Sequence, residues 1–438
     1  MIDTILNKIT KLVNKAEVYF IEEDIIPIKF KNGNLDRIFT KNTTGISLIV
    51  INQENRLGIA YSTNLNEPQR LIEDVINSAK FGEKINIDFP SNQDYQKVNI
   101  YDDKVVSLSI EDMVKAGKEI IDKTINKYPG LQVDVNITKK IKKVKIFNTS
   151  GLRAEYKSTP YSIFLSTPIP NSSGSIYKYQ SLCKYFEFPD YLIDELIRDY
   201  KLCKNNFTVQ TKKMPVIFTP NSIDSLLYRF MVGISGETLD KGISPLDNKI
   251  DEKIFSEKIT IIDDPTIDYE TGSVPFDDEG IATNKKYLVK DGVLKTFIFD
   301  LQTGARTGNK TTGNGFKRVF FSGDLTTLIT PNTTNMVLQT GDMSTDDMIS
   351  DMKEGLIIDS VLGMHCGNIA QGEYSVNIGL GFLVKNGEVQ GRVINAMTSG
   401  NIYKDFQNII SIGNELRPNF LGLSPHLYCS DISITGKN

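Results

Sequence analysis

Histidine is nearly missing from this chain: His365 and His426 are the two in 438 residues. A Ser-His-Asp triad therefore has few ways to form. No G-x-S-x-G elbow is present either, although Ser235 and Ser399 sit beside glycines. Cysteine is also scarce. Cys183, Cys203, Cys366 and Cys429 lie far apart with no C-x-x-C pair, which suits a reducing compartment and buried thiols rather than a disulfide framework. The possible soft-metal pairs are His365-Cys366 and His426-x-x-Cys429. Joining them would need two strands to meet, and neighbours on one strand face opposite ways, so buried thiols and an incidental histidine are the favoured reading.

No apolar run approaches the roughly 18 residues that span a bilayer, so no membrane segment is expected. The opening Met1-Ile2-Asp3-Thr4 lacks the basic-then-apolar pattern of a secretion signal. A cytoplasmic protein is the expectation. Positive charge is not in excess, with 50 Lys and Arg against 54 Asp and Glu. Since a sequence-independent grip on nucleic acid comes from cations displacing counterions, no nucleic-acid partner is expected. One basic run stands out: Lys139, Lys140, Lys142, Lys143 and Lys145. Without aromatic stacking partners, it reads as a solvated strand whose lysines discourage edge-to-edge pairing. No internal repeat or low-complexity tract is visible, which excludes a solenoid.

What is present points to two domains, because 438 residues exceed what one core usually fills. Apolar spacing near 3.6 predicts helices near residues 1–15 and 67–82, and Ser109 with Asp112 predicts a capping box opening another. Strand-like runs at 17–20, 28–30, 38–39, 46–51 and 57–61 read as a meander turning at Asn32-Gly33. A second β block spans 131–188, a helix closes the half at 191–202, and the polar stretch 204–213 marks the boundary. The second half carries a helix near 221–234, hairpins at Asp291-Gly292 and Asn386-Gly387, and helices expected at 344–355 and 404–412. The fold class expected is α+β. An N-terminal mixed α/β domain with antiparallel strands (1–207) precedes a β-rich C-terminal domain with a few helices (208–438).

The most informative stretch is 261–308. It joins an acidic turn, Pro275-Phe276-Asp277-Asp278-Glu279-Gly280, to the hairpin Lys290-Asp291-Gly292-Val293-Leu294 and a segment ending in Ala305-Arg306. Together with Asn148-Thr149-Ser150-Gly151, Gly341-Asp342-Met343-Ser344, the stretch 363–372 and Thr398-Ser399-Gly400-Asn401, it resembles the TldD/PmbA family. These are peptide-maturing metalloproteases once called modulators of DNA gyrase. The resemblance covers most of the chain.

That family has two kinds of subunit. In the zinc subunit a helix upstream of the DDEG turn carries H-E-x-x-x-H. Here the corresponding helix places Leu227, Tyr228 and Val232 at those positions, or Arg229, Phe230 and Ile234 in a register shifted by two. Leucine, valine, isoleucine and phenylalanine offer zinc no lone pair. The family also has a ligating cysteine before its last strand, whereas 413–425 here has none and Cys429 falls later. The resemblance therefore implies the metal-free subunit, PmbA or TldE, with neither catalytic nor metal-ligating residues in this chain. It implies zinc in a TldD-like partner subunit, an unfolded peptide as substrate, and a homodimer when the chain is alone. The alternative is a homodimeric peptide-binding protein, or an independent hydrolase whose site is unrecognised.

Candidate site residues follow from the motifs. Asp277, Asp278, Glu279 and Gly280 read as a structural turn in which Gly280 supplies a permissive backbone and the aspartates cap nearby amides, with a hard-cation site, an acid/base cluster or a peptide contact as the competing roles. Ser399, Gly400 and Asn401 are further candidates for peptide contact or structure. Asp263-Asp264-Pro265 reads as a turn whose aspartates bond locally before a proline that ends the strand.

Overall fold

The structure, a computed structural model, describes residues 1–318, 323 and 325–436. The chain is α+β with a β-rich C-terminal part. The first half runs α1 (Ile2–Ile9), β1 (Lys15–Lys31), β2 (Asn34–Ile38), β3 (Lys41–Ile51), β4 (Leu57–Ser62), α2 (Pro68–Phe81), α3 (Asp103–Ser107), α4 (Ile110–Lys127), β5 (Asp134–Asn148), β6 (Arg153–Ser158), β7 (Tyr161–Pro168), β8 (Ser175–Leu182) and α5 (Asp190–Leu202). The strands form one antiparallel sheet in the order β4-β3-β1-β5-β7-β8, with β2 added to β1 and β6 to β5.

Local chemistry sets several of these elements. Ser109 and Asp112 make the reciprocal capping box that opens α4. At the β1–β2 turn, Asn32 (φ 49°) and Gly33 (φ 75°) are both left-handed, as a primed hairpin turn requires. The pairs Asp291-Gly292 and Asn386-Gly387 repeat this geometry. Along β5 the buried residues alternate, and Val135, Ile137, Ile163 and Leu165 pack with Ile193 and Leu196 of α5.

Two expectations for this half need correction. Residues 17–20 and 28–30 belong to the single 17-residue strand β1, and β2 and β3 both pair with it rather than forming a meander. The lysine run is not an edge. β5 lies between β1 on one side and β6 and β7 on the other. Its charge is absorbed by neighbouring groups: Lys140 pairs with Glu23 at 2.5 Å and Lys145 with Glu155 at 3.0 Å. Lys139 is buried, its Nζ donating to the carbonyls of Val106 and Leu108. A central strand can carry lysines when carboxylates and carbonyls satisfy the more buried of them, as they do for Lys139, Lys140 and Lys145.

The second half runs β9 (Asn206–Phe207), β10 (Lys212–Phe218), α6 (Pro220–Gly233), α7 (Gly236–Asp240), β11 (Ile261–Asp263), β12 (Lys286–Lys290), β13 (Val293–Leu294), α8 (Leu301–Thr307), β14 (Gly315–Phe316), β15 (Thr330–Pro331), β16 (Met336–Leu338), α9 (Thr345–Asp351), β17 (Glu354–Leu362), β18 (Glu373–Lys385), β19 (Glu388–Val393), β20 (Ala396–Asn401), α10 (Ile402–Asp405), β21 (Ile409–Ile412), β22 (Arg417–Asn419), β23 (Gly422–Ser424) and β24 (Leu427–Gly436). Strands pair in the order β17-β10-β24-β20-β18, and β18 pairs back onto β17. The ladder thus closes on itself, and β19 and β9 extend from β18 outside the ring. Beside it, α6 is buried on most of its circumference, as expected for a helix apolar on nearly every side.

The helix expected at 404–412 is instead a single turn, α10, followed by β21. The β-branched Ile409, Ile410 and Ile412 favour the strand, which pairs with β24. Likewise α9 stops at Asp351, because the chain must extend into β17. Segment 204–213 is not free of structure: β9 runs parallel to β19, pairing Asn206 with Arg392.

Candidate functional site

Three regions carry the residues singled out above, and a fourth emerges only in three dimensions. On α6, Pro220 occupies the first turn after the N-cap Thr219. Leu227, Arg229, Phe230 and Ile234 are each fully buried. Arg229 is the unusual one. Its guanidinium donates from Nε to the Glu373 carbonyl (2.7 Å) and from Nη2 to those of Met364 (2.9 Å) and Cys366 (2.8 Å). Nη1 turns back to the Ser225 carbonyl. One turn before the motif positions, Asp224 accepts from the amides of Phe420 (2.9 Å) and Leu421 (3.4 Å), tying α6 to the turn between β22 and β23. Burial pushes the Asp224 carboxyl up to about 7.

The acidic turn is a hub of main-chain hydrogen bonds. Asp277 accepts from the amides of Glu279 (3.0 Å), Ile281 (2.9 Å) and Gly315 (2.9 Å). Asp278 accepts from the Lys317 amide (2.7 Å), and Glu279 from the Leu301 amide (2.8 Å). Gly280 takes φ 74°, and its carbonyl accepts from the Tyr95 hydroxyl (2.8 Å) and from Gln93. Asp263 departs from the local bonding expected of it. Its oxygens reach across the sheet to Thr334 (2.7 Å to the amide) and Asn314 (2.8 Å). That register is fixed by β11 pairing with β16, a contact no local pattern encodes.

Ser399, Gly400 and Asn401 end β20, opposite Ser375, Tyr374 and Glu373 of β18. A side chain at Gly400 would come within 2.2 Å of the Asp405 carboxylate, so the position accepts only glycine without rearrangement. Asn401 caps α10. The acidic turn and this strand end make separate sets of contacts.

Among the cysteines, Cys183, Cys203 and Cys429 are buried, but Cys366 is exposed in the turn after β17, which corrects the expectation for that thiol. His426 sits partly buried with Nδ1 3.2 Å from the Thr345 hydroxyl. Burial, then the cations Arg417, Lys178 and Arg198, pull its pKa down to about 4. Among the described residues, no three His, Cys, Asp or Glu side chains gather closely enough to hold a metal ion.

The region that sequence reasoning missed is a cleft of about 650 Å³ between α5, the N-termini of α6 and α9, β17 and the stretch leading into β22. Within it Lys178 meets Asp199 at 2.7 Å, Arg198 forks onto the same carboxylate, and Arg417 meets Glu195 at 3.1 Å. Asp359 accepts from the Thr219 hydroxyl at 3.1 Å. At the cleft's mouth Phe420 stacks on Tyr179 (5.2 Å between centroids), which stacks on Phe164 (5.0 Å). No sequence signal could have found the cleft, because its charges are scattered from residue 178 to residue 417 and meet through α5 packing on β7, β8 and β19. Its cations are already matched by carboxylates.

The model of the PmbA/TldA metallopeptidase C-terminal domain matches residues 211–436, and that of PmbA/TldA metallopeptidase domain 1 matches residues 16–79. The chain belongs to the PmbA/TldD family. An uncharacterised protein of Methanocaldococcus jannaschii is 26% identical over 423 residues, covering 93% of this chain and 95% of its own. Metalloprotease PmbA of Escherichia coli O157:H7 is 24% identical over 422 residues, covering 92% of this chain and 88% of its own. Among solved structures, TldE from Thermococcus kodakarensis superposes with a TM-score of 0.90 over 99% of this chain and 100% of that one, at 21% identity, so it shares the fold. In a PmbA/TldD protein the natural question is whether α6 could hold zinc. It does not fit: the motif positions present aliphatic, aromatic and guanidinium groups, and Arg229 already places a fixed cation on that face.

Proposed function

We propose that this chain is the PmbA/TldE-type subunit of a two-subunit metalloprotease and acts beside a TldD-type zinc subunit on unfolded peptides in their proteolysis and maturation. One observation carries the reading. In a family of metallopeptidase domains, the helix that would bear the zinc motif is sealed by Leu227 and Phe230 and tethered by Arg229 to four main-chain carbonyls. On this reading the chain shapes and holds the substrate while the partner supplies hydrolysis. The division at residues 207 and 208, a cytoplasmic location and a homodimer in the partner's absence belong to the same proposal. The contact motifs Asp277 to Gly280 and Ser399 to Asn401 then act structurally, by fixing the turn and the strand end.

The test is reconstitution. This chain and a TldD-type relative from the same source are purified separately and mixed with an unstructured fluorogenic peptide. Cleavage that needs both chains, and disappears when the relative's H-E-x-x-x-H is substituted, supports the proposal. Cleavage by this chain alone that survives chelation defeats it.

A further inference from the structure

One buried side chain ties the turn between β22 and β23 to α6. Asp224 is 3% exposed, and its carboxylate accepts from the amides of Phe420 (2.9 Å) and Leu421 (3.4 Å). The Leu421 amide has a second acceptor in the Asn419 side chain (3.0 Å), whereas among the described residues the Phe420 amide has Asp224 alone. The rest of the hairpin is anchored independently. Met336 donates to the Leu421 carbonyl (2.8 Å) and pairs with Gly422, and Asn419 donates to the Ser424 hydroxyl (2.8 Å). What depends on Asp224 is therefore the tip that carries Phe420. Its ring, 56% exposed, lies on Tyr179 at the mouth of the charged cleft, and the buried Tyr179 hydroxyl has no hydrogen-bond partner among the described residues.

The ionisable groups facing Asp224 leave it without a countercharge. From β8 these are the Tyr177 and Tyr179 hydroxyls, both neutral because burial drives them well up. Asp359 of β17 acts on Tyr177, and is itself matched by Lys178 and Thr219. On the hairpin Arg417 is held by Glu195 and Glu415, and on α6 Arg229 is committed to four carbonyls. A carboxyl group sealed this way ionises less readily than one in water, so a closed turn favours the acid and an open, hydrated one the anion. The two amides favour the anion in the closed state, but burial outweighs them and pushes the group from 3.8 to about 7. Between those values the closed turn retains a proton that the open turn releases. Each unit of rising pH then shifts the balance toward opening by about tenfold, levelling off above pH 7.

We propose that residues 419–421 form a flap that is closed over the aromatic mouth of the cleft while Asp224 is protonated and is released as pH rises and the carboxylate ionises. Release lifts Phe420 from Tyr179, lets water reach the Asp224 carboxylate and widens the entrance to the cleft. Neither a peptide nor a partner subunit enters this inference, which goes beyond the subunit reading.

Hydrogen exchange of the intact chain, resolved at the Phe420 amide and corrected for intrinsic exchange, tests the flap at pH 5, 6, 7 and 8. Protection of that amide should fall by at least about tenfold between pH 5 and 7 and then level off, more steeply than for the Tyr428 amide in β24. Asp224→Asn cannot ionise and should show no such fall. Because the chain contains no tryptophan, Phe420→Trp adds a single fluorophore on the flap while keeping Asp224, and serves also should the asparagine variant fail to fold. Its quenching by acrylamide should increase over the same interval. Protection independent of pH, an equal fall in Asp224→Asn, a fall no steeper than that of Tyr428, or quenching unchanged from pH 5 to 8 overturns the proposal. A failed reconstitution with the zinc subunit would leave the flap standing, and a flap that stays closed would leave the subunit reading standing.

Discussion

The Asp224 carboxylate and the Phe420 amide, 2.9 Å apart, form the bond that joins the buried helix α6 to the turn bearing an exposed aromatic ring. Asp224 also reaches the Leu421 amide, so one buried side chain satisfies two main-chain donors. Asp224→Ala leaves both donors without a partner and should cost about 2–3 kcal/mol, whereas Asp224→Asn keeps an acceptor and should cost less. Urea unfolding of the three proteins ranks them. Equal midpoints for wild type and the alanine variant would remove the role assigned to this bond.

Arg229 predicts a larger effect. Its removal leaves the carbonyls of Ser225, Met364, Cys366 and Glu373 facing a fully buried space. Arg229→Met should destabilise the chain by about 3 kcal/mol or more. Arg229→Lys should recover only part of that, since one ammonium cannot reproduce a planar fork pointing to four acceptors. The same denaturant titration measures both. Full recovery by lysine would mean that charge alone, not geometry, holds the site.

Much of this architecture was legible in the sequence where the signal is local. The Ser109–Asp112 box, the three Asn-Gly or Asp-Gly hairpins and the α2, α5 and α6 helices depend on residues a few positions apart, and each formed as read. What failed depends on distant partners. The lysines of β5 looked like edge charges because Glu23 and Glu155, which neutralise Lys140 and Lys145, lie on other strands. The run from Lys404 to Ile412 scans as a helix until β24 offers a pairing edge. Asp263 looked like a turn residue, yet its partners are 23, 51 and 71 positions away. The charged cleft belongs to the same class, since it draws its lining from both halves of the chain.

Stability should depend on pH through Glu17. Its folded pKa is raised to about 8, mainly by burial, from an ordinary value of 4.5. For an acid raised on folding, the native state holds its proton longer than the unfolded one. Stability is therefore unaffected below about pH 4 and falls as pH rises from there toward 8. Glu17→Gln removes that slope. Its melting temperature should match wild type at pH 5 more closely than at pH 8, where the variant should be more stable by an amount on the order of 3 kcal/mol. Parallel melting curves at the two pH values would contradict the assignment.

The last prediction concerns zinc. Writing histidine, glutamate and histidine into α6 at Leu227, Tyr228 and Val232, or at Arg229, Phe230 and Ile234, restores the spacing of H-E-x-x-x-H but not the surroundings. A catalytic zinc takes three protein ligands and a water, and the stretch 413–425 offers no thiolate to add to two imidazoles. One turn earlier, α6 is instead tied by Asp224 to the turn between β22 and β23. In the shifted register, losing Arg229 also frees four carbonyls at the same place. Both triple variants should bind zinc weakly, giving well under one ion per chain by elemental analysis after gel filtration, and neither should cleave peptides. The shifted variant should be the less stable of the two. Stoichiometric zinc in either would show that the helix face tolerates the metal, and that the lost donors alone separate this chain from a zinc subunit.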